Sequence, residues 1–450
     1  MSKIILAGVL TWLWPQVVSA HSFGVLYNLP VPFWMYLYGG VAAILVSFLI
    51  IGYFFNKVVP DFSYPTLNLS RFNFFASLTN PRFLGTLKVV SIFLFVLTIL
   101  SGLFEKSAYA SFSMTFFWII FVLGFTYATA LIGNIYAIVN PWKVSVEWLM
   151  DKEVEGLIRY PKSLGYYPAL IFYFIFIWFE LVGQTSPNKL AVILIIYTIL
   201  NYFGVIAFGK EIWFRYCEFF SVFFRLIGKI APIEYRDGKL YLRPPFIGLL
   251  KESAEYFSLL LFTLFMLSST AFDGFKETLP WVRFYWQNLD KVLRPVFGSN
   301  SYAMAKTGAL LLSPFIFLSL YFLLVALAKV IAKSMTPLKT LLLQFTFSLI
   351  PIAFVYNIAH YYTLVLTEGP KIFRLNSFIL SANFVWHSQV AFILLGHIAG
   401  VYLSHMIALK NFSSSHKRII LSQFPMLVLM VVYTVAGLWI LSQPITGGTL

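Results

Sequence analysis

Long apolar stretches recur along the whole chain, with short polar connections between them. They lie near residues 33–55, 86–104, 115–139, 167–183, 189–208, 255–272, 307–328, 340–364, 385–409 and 419–441. A helix of about 20 apolar residues crosses the hydrocarbon core of a bilayer. Because the bilayer offers no water to backbone N–H and C=O groups, such stretches must fold as helices. The sequence therefore predicts an all-α polytopic membrane protein with about ten transmembrane helices.

The composition agrees with this fold class and excludes several others. Of the 450 residues, 60% are hydrophobic and only 11% are charged, whereas a soluble domain carries about a quarter charged residues. The single cysteine, Cys217, excludes a disulfide framework and a thiolate metal cluster. The sequence has no phosphate-binding loop and no glycine fingerprint of a dinucleotide fold, so we expect no nucleotide cofactor.

The first 20 residues, MSKIILAGVLTWLWPQVVSA, have the layout of a secretory signal peptide. Lys3 precedes a short apolar run, and the small residues Val18 and Ala20 occupy positions −3 and −1 before His21. Cleavage after Ala20 would leave a single transmembrane domain, 21–450, with His21 as its N-terminus. The alternative is an uncleaved first helix.

The distribution of basic residues predicts the orientation in the membrane. With the mature N-terminus and the C-terminus outside, cytoplasmic segments carry more than twice as many Lys and Arg residues as outer segments. This bias accounts for most of the net charge of +15, so nucleic acid is not expected as a partner. The longest connection, 209–254, is cytoplasmic in this orientation. Its aromatic stretch EIWFRYCEFFSVFFRLIGKIAP is predicted to form an amphipathic helix along the membrane surface.

Three ionisable residues near the outer ends of the apolar stretches are candidates for chemistry: Glu180, Asp273 and His360. Such groups are costly inside a membrane, so each is a functional hypothesis, although Asp273 could merely end its helix and His360 could be a packing residue. Together with His21 they form a set of imidazoles and carboxylates that suits zinc, copper or iron. Glu180 and Asp273 are the predicted catalytic carboxylates, and His21 and His360 are predicted metal ligands.

The ninth stretch carries three further histidines: His387, His397 and His405. At 100° per residue, the three histidines fall within an arc of about 80° on one face of the helix. His387 and His405 are about 27 Å apart along the helix axis, so one ion cannot bind all three. The pattern predicts separate metal sites that use His397 and His405, a path for protons or ions, or structural packing.

The motifs around these residues resemble, in the same order and over nearly the whole chain, those of the fenitrothion hydrolase-like family of bacterial polytopic membrane proteins. They are AHSFGVLYNLPVP, FELVGQTSPNKL, LSSTAFDGF, PIAFVYNIAHYY and GHIAGVYLSHMIAL. His387 departs from the pattern, because the family more often has an aromatic residue there. The resemblance implies a multi-pass protein of the bacterial inner membrane that hydrolyses an organophosphate triester.

These observations leave different classes of function open. In a hydrolase acting on a hydrophobic small molecule, a divalent metal would polarise the phosphoryl oxygen, and Glu180 or Asp273 would accept a proton from the attacking water. In a transporter or metal-handling permease, the histidines of the ninth stretch would line the path through the bilayer. A haem protein would need two histidines at one depth, for which His360 and His387 are the available pair.

Overall fold

A computed structural model of the protein describes residues 30–55, 64–107, 111–150, 154–183, 185–412 and 416–443. The predicted signal peptide and His21 lie outside the described residues. The main helices are α1 (Phe33–Phe54), α2 (Pro81–Phe104), α3 (Phe112–Ile132), α4 (Tyr167–Leu181), α5 (Pro187–Phe208), α6 (Phe219–Gly228), α7 (Phe257–Lys276), α8 (Ser301–Ala332), α9 (Ile350–Glu368), α10 (Ala382–Asn411) and α11 (Phe424–Ser442).

Shorter elements connect these helices. Short α-helices are Asn73–Leu78, Tyr136–Val139, Pro141–Leu149, Lys210–Ile212, Leu279–Phe284, Asp290–Phe297, Leu338–Phe345 and His416–Leu421. π-Helical turns are Thr115–Gly124 within α3, Trp213–Cys217 and Tyr285–Leu289. 3₁₀ turns are Leu69–Arg71, Lys162–Leu164, Ile247–Leu249, Gly298–Asn300, Thr346–Leu349 and Gly369–Phe373.

The helices confirm a polytopic membrane protein. Within the described ranges, nine helical segments are long and apolar enough to cross a membrane. The remaining predicted span, 167–183, which is the fourth in chain order, forms only the 15-residue helix α4, which is about 22 Å long. Its start is tied to the start of α7, where the Tyr166 N–H donates to Ser258 Oγ over 2.8 Å. Near its other end, Trp178 Nε1–H donates to Thr307 Oγ1 at the start of α8 over 2.8 Å. α4 therefore connects the same two ends of the bundle as its longer neighbours.

One end of the bundle, the sheet end, carries a three-stranded antiparallel sheet. Its strands are β1 (Leu67–Asn68), β2 (Ile233–Arg236) and β3 (Lys239–Leu242), in the order β1-β3-β2. β2 and β3 form a hairpin whose two loop residues, Asp237 and Gly238, both have positive φ, 52° and 73°. Such two-residue loops match the twist of the strands they join, and Asp-Gly is a preferred sequence for them.

The opposite end, the Asp273 end, holds the first residues of α1 and the last residues of α11. A Cβ built on Gly274, near the end of α7, would lie 2.8 Å from Ile440 of α11. Tyr36 of α1 hydrogen-bonds to His387 at the start of α10. At the sheet end, His405 Nε2–H donates to the carbonyl of Phe55 just after α1. The described chain therefore begins and ends at the same end of the bundle.

The aromatic stretch of the 209–254 connection does not lie on the surface, so this part of the prediction is wrong. The buried residues of α6 are Phe219, Phe220, Val222, Phe224, Leu226, Ile227 and Gly228. Phe219 packs against Tyr173 of α4 and Tyr197 of α5, with ring centroids 5.8 and 5.7 Å apart. Glu218 caps the helix start by accepting hydrogen bonds from the N–H groups of Phe220 and Ser221. α6 is thus a short helix enclosed by the transmembrane helices.

Small residues bring α9, α10 and α11 close together. A Cβ on Gly396 of α10 would overlap the Val355 side chain of α9, and one on Gly400 would lie 3.1 Å from the Ser348 carbonyl oxygen. A Cβ on Gly437 of α11 would lie 2.5 Å from the Tyr356 hydroxyl. Close approach at small residues is the usual way in which membrane helices gain packing contacts. This packing fixes α9, which carries His360, against its neighbours.

Candidate functional site

Asp273 is the centre of a polar cluster at its end of the bundle. It lies on the last turn of α7 and is only 8% exposed. His360 Nε2–H donates to Oδ2 over 2.8 Å, and the Tyr361 hydroxyl donates to the same oxygen over 2.5 Å. Lys276 Nζ lies 3.1 Å from Oδ1. Both carboxylate oxygens are therefore occupied, so Asp273 is placed to hold its neighbours rather than to take a proton from water.

Lys276 links the cluster to a second carboxylate. Its spacing of three residues from Asp273 puts both side chains on one face of α7. Lys276 also bonds to Glu277 Oε1 over 2.5 Å, and its side chain is 11% exposed. A buried charge is tolerated when it is paired and hydrogen-bonded. The Asp273–Lys276 pair satisfies this condition with donors supplied by α7 and α9.

His360 is positioned with one ring nitrogen turned towards its carboxylate partner. Because Nε2 must carry the proton that is donated to Asp273, Nδ1 is the basic nitrogen of the neutral ring. Gly274 lies beside this nitrogen, since a Cβ there would be 3.9 Å from Nδ1, an ordinary contact distance. The His360 side chain is 29% exposed, so the ring is reachable. An imidazole oriented by a buried carboxylate is the arrangement used by general bases and by metal ligands.

Glu180 lies in the wall of a cavity beside this cluster. The cavity has a volume of about 40 Å³ and is enclosed mainly by apolar and aromatic side chains of α3, α4 and α6. Its polar lining consists of Glu180, Tyr173, Ser269, Thr270, Asn357 and Tyr361. Tyr361 lines this cavity and also donates to Asp273, so it joins the cavity to the cluster. Glu180, Asp273 and His360, which the sequence places near one end, are therefore grouped around one region of the structure.

The histidines of α10 occupy separate environments. His397 is fully buried, with Nδ1–H donating to its own helix at Ile393 over 2.8 Å, and its Nε2 has no hydrogen-bond partner among the described residues. Both nitrogens of His405 are engaged, one with the Phe55 carbonyl and the other 2.6 Å from Gln423 Oε1. His387 Nδ1–H donates to the Asn383 carbonyl over 2.6 Å.

The predicted metal ligands do not form a complete site in the described part of the chain. Within it, no three His, Cys, Asp or Glu residues are arranged to hold a metal ion. The structure does not bring His397 and His405 together with His360. His21, the fourth predicted ligand, lies outside the described residues.

Sequence reasoning did not assign roles to three residues of the site. Lys276 could have been found from its spacing of three residues from Asp273 on one helix. Tyr361 and Asn357 flank His360 in the sequence, but their hydrogen bonding depends on which helices meet α9. The Tyr361 hydroxyl reaches Asp273, whereas Asn357 Oδ1 is buried and has no partner among the described residues.

The fold and site define a polytopic helical membrane protein with a polar cluster beside an apolar cavity at one end of its bundle. No known protein family, curated protein or solved structure matches this chain. The arrangement of these residues is therefore the ground on which a function is proposed.

Proposed function

We propose that the protein is a membrane hydrolase that acts on a hydrophobic ester, as the resemblance to the fenitrothion hydrolase-like family implies. The observation that carries the proposal is the Asp273–His360 hydrogen bond of 2.8 Å beside the aromatic cavity. The proposal places the Asp273 end outside and the sheet end in the cytoplasm, in accordance with the bias of Lys and Arg. A phosphotriester is the substrate class that the resemblance favours.

His360 is assigned the role of general base in this proposal. Its Nδ1 would take a proton from a water molecule as the water oxygen bonds to the phosphorus or carbonyl carbon of the ester. The bond to the alkoxide or phenoxide leaving group then breaks, and the imidazolium returns the proton to that group or to solvent. Asp273 stabilises the imidazolium that forms, because its Oδ2 accepts the Nε2–H hydrogen bond. The Tyr361 hydroxyl, which donates to the same oxygen, fixes the carboxylate in place. A positioned base of this kind contributes about 10²–10⁴-fold to a rate.

The wall of the cavity matches the hydrophobic part of such a substrate in polarity. Phe176, Phe219 and Phe223 contribute to its aromatic surface. Because the cavity volume is only about 40 Å³, these side chains must move apart before a substrate ring enters. Because ester substrates of low polarity dissolve in the bilayer, they can reach a site of this kind from the lipid. Glu180 adds a carboxylate to the same wall.

The described residues do not supply enough ligands to hold a divalent metal. If the proposed hydrolase uses zinc, copper or iron, at least one ligand must come from outside the described residues. His360 Nδ1 is the described donor suited to hold it, and His21 would have to supply others. A metal bound there would polarise the ester oxygen. Because it would occupy the Nδ1 lone pair, His360 would then be a metal ligand instead of the general base. Asp273 would then act as the carboxylate partner that orients the imidazole of a metal ligand.

The test is the release of 4-nitrophenol from a dialkyl 4-nitrophenyl phosphate and from a 4-nitrophenyl carboxylic ester by the purified protein in liposomes. We expect His360→Ala to lower the rate by about 10²–10⁴-fold. His387→Ala is the matched control, because this histidine lies at the same end but bonds to Tyr36 and to its own helix. Equal rates for the two variants, or hydrolysis no faster than in empty liposomes, would contradict the proposal.

Elemental analysis of the same preparations tests the metal separately. A stoichiometric ion that is lost in His360→Ala supports a metal-dependent reaction. Hydrolysis by a protein that contains no bound metal would assign the reaction to His360 and Asp273 alone.

A further inference from the structure

Two connections at the Asp273 end expose groups of apolar side chains. One connection, 279–297, follows α7 and leads to α8, and the other, 369–381, joins α9 to α10. The exposed large apolar residues of the first are Phe284, Trp286, Val292, Val296 and Phe297. Those of the second are Phe373, Leu375, Phe378 and Ile379. Exposed apolar side chains that are grouped in this way mark a surface that contacts a partner or a membrane.

The bundle holds the 279–297 connection in place. The buried Tyr285 hydroxyl donates to Asp290 Oδ1 over 2.8 Å, and it accepts a hydrogen bond of 2.7 Å from Ser301 Oγ at the start of α8. Leu289 and Leu293, four residues apart, pack against the core of the bundle. One face of the connection is therefore bound to the protein, and the exposed side chains are presented from a fixed backbone.

The exposed charges of both connections are positive. They belong to Arg283, Lys291, Arg294, Lys371 and Arg374. Asp290, the single acidic residue of 279–297, is bonded to Arg294 over 3.0 Å. The Arg294 guanidinium also lies 5.3 Å from the centre of the Trp286 ring. The 369–381 connection contains no acidic residue, although Glu368 just before it pairs with Lys371. Each connection therefore keeps a positive net charge.

This combination fits the headgroup region of a bilayer. Val292 and Val296 are 68% and 72% exposed, and the chain continues from them into α8, a membrane-spanning helix. Its own exposed apolar residues include Leu311, Leu312, Phe315 and Ile316. The apolar surface of the connection is therefore continuous with a surface that faces lipid. Tryptophan and basic residues are typical of the membrane interface, where apolar side chains enter the acyl boundary and basic side chains reach the phosphates.

We propose that the 279–297 and 369–381 connections lie in the headgroup region of the bilayer and bind anionic phospholipids through their basic side chains. The charge of such lipids is complementary to that of the connections. The connections follow the helices that carry Asp273 and His360, so this binding would hold the polar cluster at the depth of the membrane interface. The proposal does not depend on hydrolysis at His360.

The position of the connections is tested with a bimane label on Val292→Cys in the full-length protein in liposomes. The native Cys217 is buried and does not compete for the label. We expect strong quenching by phosphatidylcholine that is brominated near the headgroup end of its acyl chains. Asp237→Cys, at the exposed tip of the hairpin at the sheet end, is the control and should not be quenched.

Two results of this experiment would overturn the proposal. A Val292→Cys label that is quenched no more than the Asp237→Cys label would show that lipid does not contact the first connection. A second copy of the chain covering this face would also give that result, and oxidation of unlabelled Val292→Cys would then cross-link two copies. Ile379→Cys tests the second connection in the same way, and a lack of quenching there would overturn the proposal for 369–381.

The preference for anionic lipid is tested with the same Val292→Cys label. Each Lys or Arg near an anionic surface strengthens the attraction about fivefold. We therefore expect brominated phosphatidylglycerol to compete at least about fivefold better than brominated phosphatidylcholine for the lipid positions beside the label. Combining Arg283→Gln, Lys291→Gln and Arg294→Gln should abolish this preference, whereas Lys239→Gln, an exposed basic residue of the hairpin, should keep it. Equal competition by the two lipids, or an unchanged preference in the triple variant, would contradict the proposal.

Discussion

Asp273→Asn is the substitution that tests the polar cluster most severely. The change preserves the size of the side chain but removes the charge that pairs with Lys276 over 3.1 Å. It also places an amide where a carboxylate oxygen accepts hydrogen bonds from His360 and Tyr361. If the new NH₂ group faces His360 Nε2–H, two donors meet. The imidazole must then shift its proton to Nδ1, which removes the proposed base.

The expected cost follows from the contacts that remain. Removing one partner of a buried ion pair typically costs about 3–5 kcal/mol, because the other charge stays buried without compensation. Lys276 keeps its bond to Glu277, so we expect about 3 kcal/mol for Asp273→Asn. Adding Lys276→Met removes the buried charge that Asp273 no longer compensates. The double variant is therefore expected to recover at least about 1 kcal/mol of the loss.

Reversible unfolding in mixed micelles of detergent and SDS measures these differences, with hydrolysis followed on the same samples. Glu368→Gln is the matched control, because its exposed pair with Lys371 is expected to contribute only about 0–1 kcal/mol. The reasoning is refuted if Asp273→Asn costs no more than Glu368→Gln. It is also refuted if Lys276→Met adds to the cost instead of reducing it.

Three further predictions concern the elements that surround the site. Gly204→Ala would force a Cβ into the Trp213 ring, and we expect it to destabilise the protein by about 1–3 kcal/mol. Gly85→Ala is the control: no neighbouring atom lies within 4 Å of its Cβ, so the same unfolding assay should show no destabilisation. Glu218→Ala removes the acceptor of the Tyr197 hydroxyl, which lies 2.7 Å away, and it also removes the cap of α6. We expect the free energy of unfolding to fall by about 1–3 kcal/mol and the tryptophan fluorescence to shift. Although burial opposes ionisation, hydrogen bonds from Ser111 and Ser113 hold the pKa of Glu105 below its ordinary value. The ionised Glu105 therefore stabilises the folded protein above the ordinary pKa of glutamate, and this stabilisation is lost as the pH falls through the lowered pKa of Glu105. Ser111→Ala should consequently make the free energy of unfolding less sensitive to acid.

The apolar stretches were sufficient to predict most of the helices, because burial in lipid requires continuous apolar sequence and internal hydrogen bonding. The stretch that became α4 shows the limit of this reasoning. Its helix has only 15 residues and ends before Val182 and Gly183. Its position between α7 and α8 depends on contacts with residues far away in the sequence, such as Ser258 and Thr307.

The position of α6 could not be predicted for a related reason. Its aromatic residues suit an interfacial helix as well as a buried one, since Phe and Tyr side chains are stable in both places. The difference is made by Glu218, which finds donors in Tyr197 and Asn140 at 2.7 and 3.2 Å. Those partners come from distant parts of the chain.

The candidate site was partly predictable. Ionisable residues in apolar segments pointed to Glu180, Asp273 and His360, and the order of the helices placed them near one end. The spacing of the histidines in the ninth stretch did not predict their contacts. His397 lies beside Tyr356 of α9, whereas His405 contacts Phe55, just after α1, and Gln423, just before α11. The signal peptide, the role of His21 and the orientation in the membrane stay predictions.

Chemical rescue of His360→Gly is the most direct measurement of the central claim, which is that the His360 imidazole held by Asp273 carries out hydrolysis. The variant leaves a space where imidazole from solution can bind next to Asp273 Oδ2. We predict a loss of ester hydrolysis of about 10²–10⁴-fold and a saturating recovery with added imidazole, which Asp273→Asn in the same background should abolish. Hydrolysis by His360→Gly at the rate of the unaltered protein would contradict the account.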